Sequence, residues 1–252
     1  MIDGGPHPSS GRIVETERPE QESGAAHRAA VSDTPADLPA GDLHRIHRGA
    51  VFDLVSQEVN LGKAGRVVRE FVRHPGAVAI VALDPEHRVL LLRQYRHPVG
   101  SYLWEVPAGL LDVPGEDLVS AAARELAEEA DLRAGRWHTL VDYYTSPGAS
   151  DEALRVFLAR DLTPVPEAQR HRRQAEEADM AAEWVPLDEA VAGVLGGRIH
   201  NPSAVVGVLA TQAWSAGGGA DLRPADAPWL PRARSGGAAG SFARGRQTPS
   251  RD

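Results

Sequence analysis

The chain has 252 residues, which suits one domain with tails or two small domains. It is 42% hydrophobic and 25% charged, and its formal net charge of −8 argues against a nucleic-acid-binding surface. It has no cysteine, which excludes disulfides and thiolate chemistry, and its 10 histidines show no zinc-ligand spacing. The sequence contains neither an apolar stretch of membrane-spanning length nor a signal-peptide pattern, so we expect a cytoplasmic enzyme that does not bind membranes.

Both ends of the chain are rich in Pro, Gly and polar residues. Residues 1–40 lack hydrophobic periodicity and predict a disordered tail. Residues 217–252 have the same character and predict a flexible C-terminal tail, although local docking of Trp229 and Leu230 stays open. The globular domain is therefore expected at residues 41–216, and any role of the two tails is left open.

Within this domain, strands come first and helices come late. Apolar runs predict strands at Val51–Val55, Arg66–Val72, Ala77–Leu83, Val89–Gln94, Thr139–Tyr144 and Arg155–Ala159. The run Ala77–Leu83 is apolar throughout, which indicates a strand buried on both faces. Helices are predicted at Leu187–Leu195 and Ser203–Trp214, the second after an Asn201 cap. With an acidic helix in the middle, this order predicts an α/β sandwich whose sheet is mixed in strand direction.

The segment from Gly109 to Leu132 carries the clearest functional signal. Glu125, Glu128 and Glu129 follow Arg124 and, at spacings of three and four, share one face of a predicted helix. Like charges at this spacing destabilise a helix by about 0.2–0.5 kcal/mol per pair. A hard divalent cation such as Mg²⁺, which takes oxygen ligands, is the natural group to offset that repulsion. A solvated acidic face is the alternative interpretation.

The spacing resembles the Nudix box: Gly, five residues, Glu, seven residues, then Arg-Glu-apolar-any-Glu-Glu-any-Gly-apolar. The matching positions are Glu116, Arg124, Glu125, Leu126, Glu128, Glu129 and Leu132. Two positions depart from the pattern. Six residues separate Gly109 from Glu116, and Asp131 occupies the slot of the late Gly, where a left-handed helix end favours glycine. Neither departure removes a carboxylate, so the resemblance implies a Nudix-type α/β/α sandwich with a catalytic loop-helix-loop.

The resemblance also implies a site that binds Mg²⁺, or Mn²⁺, and hydrolyses a phosphoanhydride. It makes Glu125 and Glu129 metal ligands, with Glu128 supporting or completing the site and the Ala108 carbonyl contributing.

Three further residues of the box are expected to shape the site. We expect Arg124 to hold the carboxylates in position by pairing with Glu128 at i+4 and with Glu116 across the loop. An orienting role is favoured for Glu116 over indirect metal ligation, and Gly109 is expected to be structural.

The general base is expected in a polar loop near residue 177. Family resemblance places a catalytic carboxylate in a loop of this kind, and we predict Glu177, with Glu176 next. An exposed acidic loop without a role is the alternative. If neither residue is the base, Glu152 and Glu128 are the next candidates.

Motifs around the box resemble the ADP-ribose pyrophosphatases of actinobacterial type, and the resemblance spans roughly residues 43–215. The motifs are Gln94-Tyr95-Arg96, Leu103 to Gly109, and Ser146-Pro147-Gly148 with the residues that follow to Glu152. The implied reaction converts ADP-ribose into AMP and ribose 5-phosphate, and the residues expected to bind substrate are Arg96, Glu105, Ser146, Pro147 and Gly148. Arg96 suits a bidentate phosphate contact, whereas Glu105 suits the adenine or a ribose hydroxyl. A surface arginine and a buried, paired glutamate are the respective alternatives.

Two other functions stay open at this point. One keeps the chemistry but changes the substrate to another nucleoside diphosphate sugar, and the other is a non-catalytic module that binds ADP-ribose. The resemblance further implies a homodimer in which residues 43–73 help to form the partner's pocket.

Overall fold

The computed structural model describes residues 31–171, 180–219 and 221–229. The described residues from Leu38 onward belong to one compact unit. The strands are β1 His44–Arg48, β2 Asp53–Asn60, β3 Arg66–Arg73, β4 Ala77–Ala82, β5 Arg88–Arg96, β6 Ser101–Glu105, β7 Ala108–Leu110, β8 Leu132–Tyr144, β9 Ala153–Pro164, β10 Ala181–Pro186 and β11 Arg223–Pro224. The helices are α1 Leu118–Ala130, α2 Leu187–Leu195 and α3 Pro202–Ala216. None of the helices in these ranges is long and apolar enough to cross a membrane.

The strands form three sheets. The largest has the order β11-β8-β9-β4-β7, and two smaller ones have the orders β10-β5-β6 and β1-β2-β3. Strands β4 and β9 run parallel, whereas the other described strand pairs are antiparallel. The predicted mixture of strand directions is therefore confirmed.

Strand β4 is buried on both faces, as its apolar run predicts. Because side chains alternate along a strand, Ala77, Ala79 and Val81 face one apolar cluster, which includes residues of α2 and α3. Val78, Ile80 and Ala82 face a second cluster, which includes Ala121, Ala122 and Leu126 of α1. The sheet thus separates α1 from α2 and α3, which confirms the predicted α/β/α sandwich.

Helix α1 has a defined cap at each end. The Asp117 carboxylate accepts hydrogen bonds from the backbone N–H groups of Val119 and Ser120, both at 3.0 Å. At the other end, Asp131 adopts a left-handed conformation with φ 53°. Position 131, where the box pattern has glycine, therefore adopts the left-handed conformation that glycine favours, although the residue here is an aspartate. Strand β8 begins at the next residue, so the turn from helix to sheet is abrupt.

The structure departs from the sequence predictions at the end of the domain. Strand β11 pairs with β8, and Ala227 is buried. Residues 221–229 of the predicted flexible tail thus contact the domain, and these contacts favour the alternative of local docking by Trp229. At the other end, the Pro39 carbonyl accepts a hydrogen bond from Asn60, so residues just before 41 already contact the domain. Residues 1–30 and 230–252 lie outside the described ranges.

Candidate active site

Arg124 is the centre of the acidic cluster on α1. Its Nε and Nη2 donate to the two carboxylate oxygens of Glu116, each at 3.0 Å. Its Nη1 donates to Glu125 and, at 3.4 Å, to Glu128. The hydrogen bonds to Glu116 are the main reason why the pKa of Arg124 is raised well above its ordinary value. These contacts have the geometry that the predicted orienting role requires, although that role itself remains a prediction.

Glu125 explains the glycine at the start of the box. A Cβ at Gly109 would overlap the carboxyl group of Glu125, so any larger residue would displace this carboxylate. Gly109 is not among the described glycines with positive φ, so close approach rather than backbone conformation accounts for it. The Glu125 side chain is 13% exposed. Burial raises the pKa of Glu125, and the nearby Arg124 guanidinium opposes that rise.

Glu129, one helical turn after Glu125, also docks on β7. Its Oε2 accepts a hydrogen bond from the Ala108 N–H at 3.0 Å. The two carboxylates predicted to bridge a metal therefore contact consecutive residues of the same short strand. Among the described residues, no three acidic or histidine side chains converge closely enough to hold a metal ion.

Comparison with known proteins shows the family of the chain. A family model described as NUDIX domain matches residues 73–202. The chain belongs to the Nudix family of hydrolases. Over 187 residues it is 48% identical to an ADP-ribose pyrophosphatase of Mycobacterium tuberculosis, an alignment that covers 74% of this chain and 88% of that protein. It is 41% identical over 125 residues to an ADP-ribose pyrophosphatase of Bacillus subtilis, covering 49% of this chain and 66% of that protein.

A solved structure shares the fold of this Nudix domain. The crystal structure of an ADP compounds hydrolase superposes with a TM-score of 0.62 and covers 75% of this chain and 99% of that one. The sequence identity is 22%, so this likeness supports the fold alone. Nudix hydrolases generally depend on a divalent metal ion.

The two residues expected to contact substrate from β5 and β6 are paired with each other. Arg96 donates from Nε and Nη2 to the two carboxylate oxygens of Glu105, at 2.8 and 2.7 Å. The Glu105 side chain is 5% exposed and that of Arg96 is 43% exposed. Glu105 is therefore buried and paired, as the alternative interpretation of this residue describes. Substrate binding by either residue remains a prediction.

The predicted substrate residues Ser146, Pro147 and Gly148 form an exposed turn between β8 and β9. The Ser146 carbonyl accepts the N–H groups of Ala149 and Ser150, both at 2.9 Å. Next to this turn, Val72 exchanges backbone hydrogen bonds with Ala149 and Asp151. The turn is therefore joined to β3, a connection between distant segments that no local sequence pattern indicated.

The predicted bases Glu177 and Glu176 lie outside the described residues, so their assignment stays a prediction. Glu152, the next candidate, lies after the same turn. Its Oε2 accepts a hydrogen bond from Thr145 at 2.8 Å, and its Oε1 lies 3.6 Å from Nδ1 of His74. Glu128, the other candidate, contacts Arg124.

Proposed function

We propose that this Nudix hydrolase uses Mg²⁺ to cleave the pyrophosphate of ADP-ribose, producing AMP and ribose 5-phosphate. The observation that carries the proposal is the box cluster, in which Glu125 and Glu128 contact Arg124 and in which Glu125 and Glu129 lie against β7. The 48% identity to a protein named ADP-ribose pyrophosphatase supports this choice of substrate.

The charges of the box cluster suit a divalent cation. One guanidinium faces three carboxylates, and burial disfavours the charge on Glu125. Additional positive charge would stabilise the ionised carboxylates. Glu125 and Glu129 would hold the ion, with Glu128 completing the site and the Ala108 carbonyl available on β7. An ion held by these residues would neutralise phosphate charge and would lower the pKa of a water.

The chain's own residues would orient the reactants. Arg124 holds Glu116, Glu125 and Glu128 in position. Glu177 accepts the proton of the attacking water, in our assignment, with Glu176 as the alternative. The exposure of Arg96 favours it as the phosphate contact, and the buried Glu105 fixes the plane of its guanidinium.

The sheet β1-β2-β3 supports the proposal that the enzyme is a homodimer in which residues 43–73 help to complete the partner's pocket. Several large apolar side chains of this region are exposed: Leu43, Ile46, Val51, Phe52 and Val68. Such side chains favour burial against a partner. The hydrogen bonds of Val72 to Ala149 and Asp151 place this sheet beside the Ser146–Gly148 turn.

An assay of AMP release from ADP-ribose tests the proposed function. We expect Mg²⁺-dependent release that is abolished by a chelator and retained by Glu189→Gln, a control on α2. Faster cleavage of another nucleoside diphosphate sugar, such as ADP-glucose, would change the substrate but keep the chemistry. ADP-ribose binding without any AMP release would contradict catalysis and favour a binding module.

A further inference from the structure

Residues 221–229, which we call the C-terminal strap, are attached to the domain although they lie beyond the family match at residues 73–202. Arg223 and Pro224 pair with Thr139 and His138 of β8. The Thr139 hydroxyl also donates to the Pro224 carbonyl at 3.0 Å. The strap therefore extends the edge of the largest sheet.

A buried arginine fastens the middle of the strap. The Arg155 side chain is 0% exposed, and it pairs through Nε and Nη2 with the Asp142 carboxylate at 2.8 and 3.0 Å. Its Nη1 donates to the Ala227 carbonyl at 2.6 Å, and its Nη2 to the Pro228 carbonyl at 3.1 Å. Buried donors are costly when they lack acceptors. The strap's carbonyls are thus part of the reason why Arg155 can be buried.

The last described residue of the strap reaches the start of the catalytic loop. The guanidinium carbon of Arg155 lies 5.8 Å from the centre of the Trp229 ring. Cη2 of Trp229 lies 3.4 Å, and Cδ1 of Leu111 3.5 Å, from the point where a Cβ of Gly76 would stand. The Gly76 carbonyl accepts the Leu111 N–H at 3.0 Å. Trp229 and Leu111 therefore both lie beside Gly76, and Leu111 is the first residue of the loop between β7 and α1.

The strap and this loop also share a core. Ala225 of the strap packs against the apolar cluster beneath α1, and so do Leu111 and Leu118 at the two ends of the loop. Glu116, which orients Arg124, lies within this loop. A displacement of the strap can therefore shift the loop that carries Glu116, because the strap and the loop pack against the same apolar cluster.

We propose that the C-terminal strap fixes the loop of residues 111–117 and that Trp229 is its positioning residue. Trp229 blocks outward movement of Leu111 and Gly76, and this keeps Glu116 opposite Arg124. Loss of the Trp229 ring leaves the carboxylates of α1 in place but loosens the loop that orients them. The proposal does not depend on which phosphoanhydride is hydrolysed.

Amide hydrogen exchange in the full chain tests the proposal without any substrate. In Trp229→Ala we expect the amides of residues 111–117 to exchange about tenfold faster or more, because their local opening becomes easier. Trp229→Phe, which keeps an aromatic ring, should restore most of the protection. Arg223→Gln, which weakens the strap from its exposed side, should give a smaller rise and covers the case in which Trp229→Ala does not fold.

Trp214→Ala is the matched control, because Trp214 packs on the other side of the sheet, against the α2 and α3 cluster. It should lower the melting temperature but leave exchange at residues 111–117 unchanged. With substrate, Trp229→Ala should lower kcat more than it raises KM, which general destabilisation would not produce below the melting temperature. Unchanged exchange in both strap variants, or an equal rise in Trp214→Ala, would overturn the proposal.

Discussion

Arg124 and Arg155 each organise a cluster of partly buried charges, but the two clusters differ in balance. Arg124 faces three carboxylates, of Glu116, Glu125 and Glu128. Arg155 faces one carboxylate and two backbone carbonyls, and the same Asp142 carboxylate also accepts from Arg223 at 2.8 Å. Among the described contacts, three carboxylates share one guanidinium in the first cluster, whereas one carboxylate pairs with two guanidinium groups in the second.

This difference separates a candidate binding site, around Arg124, from a cluster that stabilises the fold, around Arg155. Each guanidinium nitrogen of Arg155 has an acceptor, so this cluster is expected to stabilise the fold. The carboxylates around Arg124 repel one another, and burial further disfavours the charge of Glu125. A charge excess that the fold maintains at a helix face is expected where a cation binds.

The largest effect on catalysis is expected from the predicted base. Glu177→Gln should reduce turnover by roughly 10²–10⁴-fold, the range that general base catalysis supplies. Substrate and Mg²⁺ should still bind, because the carboxylates of α1 remain. Steady-state kinetics at saturating ADP-ribose and Mg²⁺ measures this, with Glu176→Gln as the milder companion. A larger loss in Glu176→Gln would exchange the two roles, and two active variants would point to Glu152 or Glu128.

Neutralising the metal ligands should remove activity without unfolding the domain. Glu125→Gln and Glu129→Gln should each slow turnover by about 10²–10³-fold, since several kcal/mol of charge stabilisation in the transition state is lost. Their melting temperatures should stay near that of the parent, because repulsion on α1 is relieved. Either variant working at the parent rate would show that the metal ligands lie elsewhere.

The Arg155 cluster should matter more for stability than the box cluster does. Arg155→Met should lower the free energy of unfolding by about 3 kcal/mol, as removing one partner of a buried pair leaves the other uncompensated. Arg223 remains beside Asp142 and limits the loss. Urea unfolding monitored by circular dichroism measures it, and an unchanged midpoint would contradict the structural role of Arg155.

In contrast to Arg155→Met, Arg124→Ala should affect turnover more than stability. We expect a loss of about 1–2 kcal/mol in stability, from the hydrogen bonds to charged partners, together with a clear fall in turnover. Kinetics and thermal melting on the same preparation separate the two effects. Normal stability with no activity would instead place Arg124 directly on the substrate.

The smallest expected effect is a pH dependence at His74, between β3 and β4. Burial lowers the pKa of His74, although Glu152 and Asp151 act to raise it. The fold therefore favours the neutral imidazole, whose Nδ1 accepts the Gly76 N–H at 3.1 Å. This contribution is present above the unfolded pKa of about 6.5 and is lost as the pH falls through the folded pKa.

Urea unfolding of the parent and of His74→Gln at about pH 7.5 and about pH 5 tests this dependence. The parent should lose more stability than the variant between the two conditions. An equal loss in both proteins would show that other groups account for the decline.

Much of the fold and of the box was predictable because the signals are local. The apolar run of β4 and the spacing of Glu125, Glu128 and Glu129 depend on neighbours along the chain. The strap was not predictable, because the acceptors of Arg155 lie 72 and 73 positions away in a segment with the composition of a tail. The need for a glycine at position 109 was equally unpredictable, because it arises from the Glu125 carboxylate on α1, which leaves no room for a Cβ there.

Strand β10 and the short strands β1, β6, β7 and β11 were missed for a related reason. Most of their side chains are polar or partly exposed, and their positions are set by pairing with distant strands rather than by an apolar pattern.

The central claim, that the carboxylates of the box cluster bind a divalent cation whereas the groups around Arg155 do not, is tested most directly by melting temperature as a function of Mg²⁺. A cation that binds the folded state alone raises stability with its concentration. The parent and Arg223→Gln should both show this rise, and the double variant Glu125→Gln/Glu129→Gln should not. An equal rise in all three proteins would contradict the account.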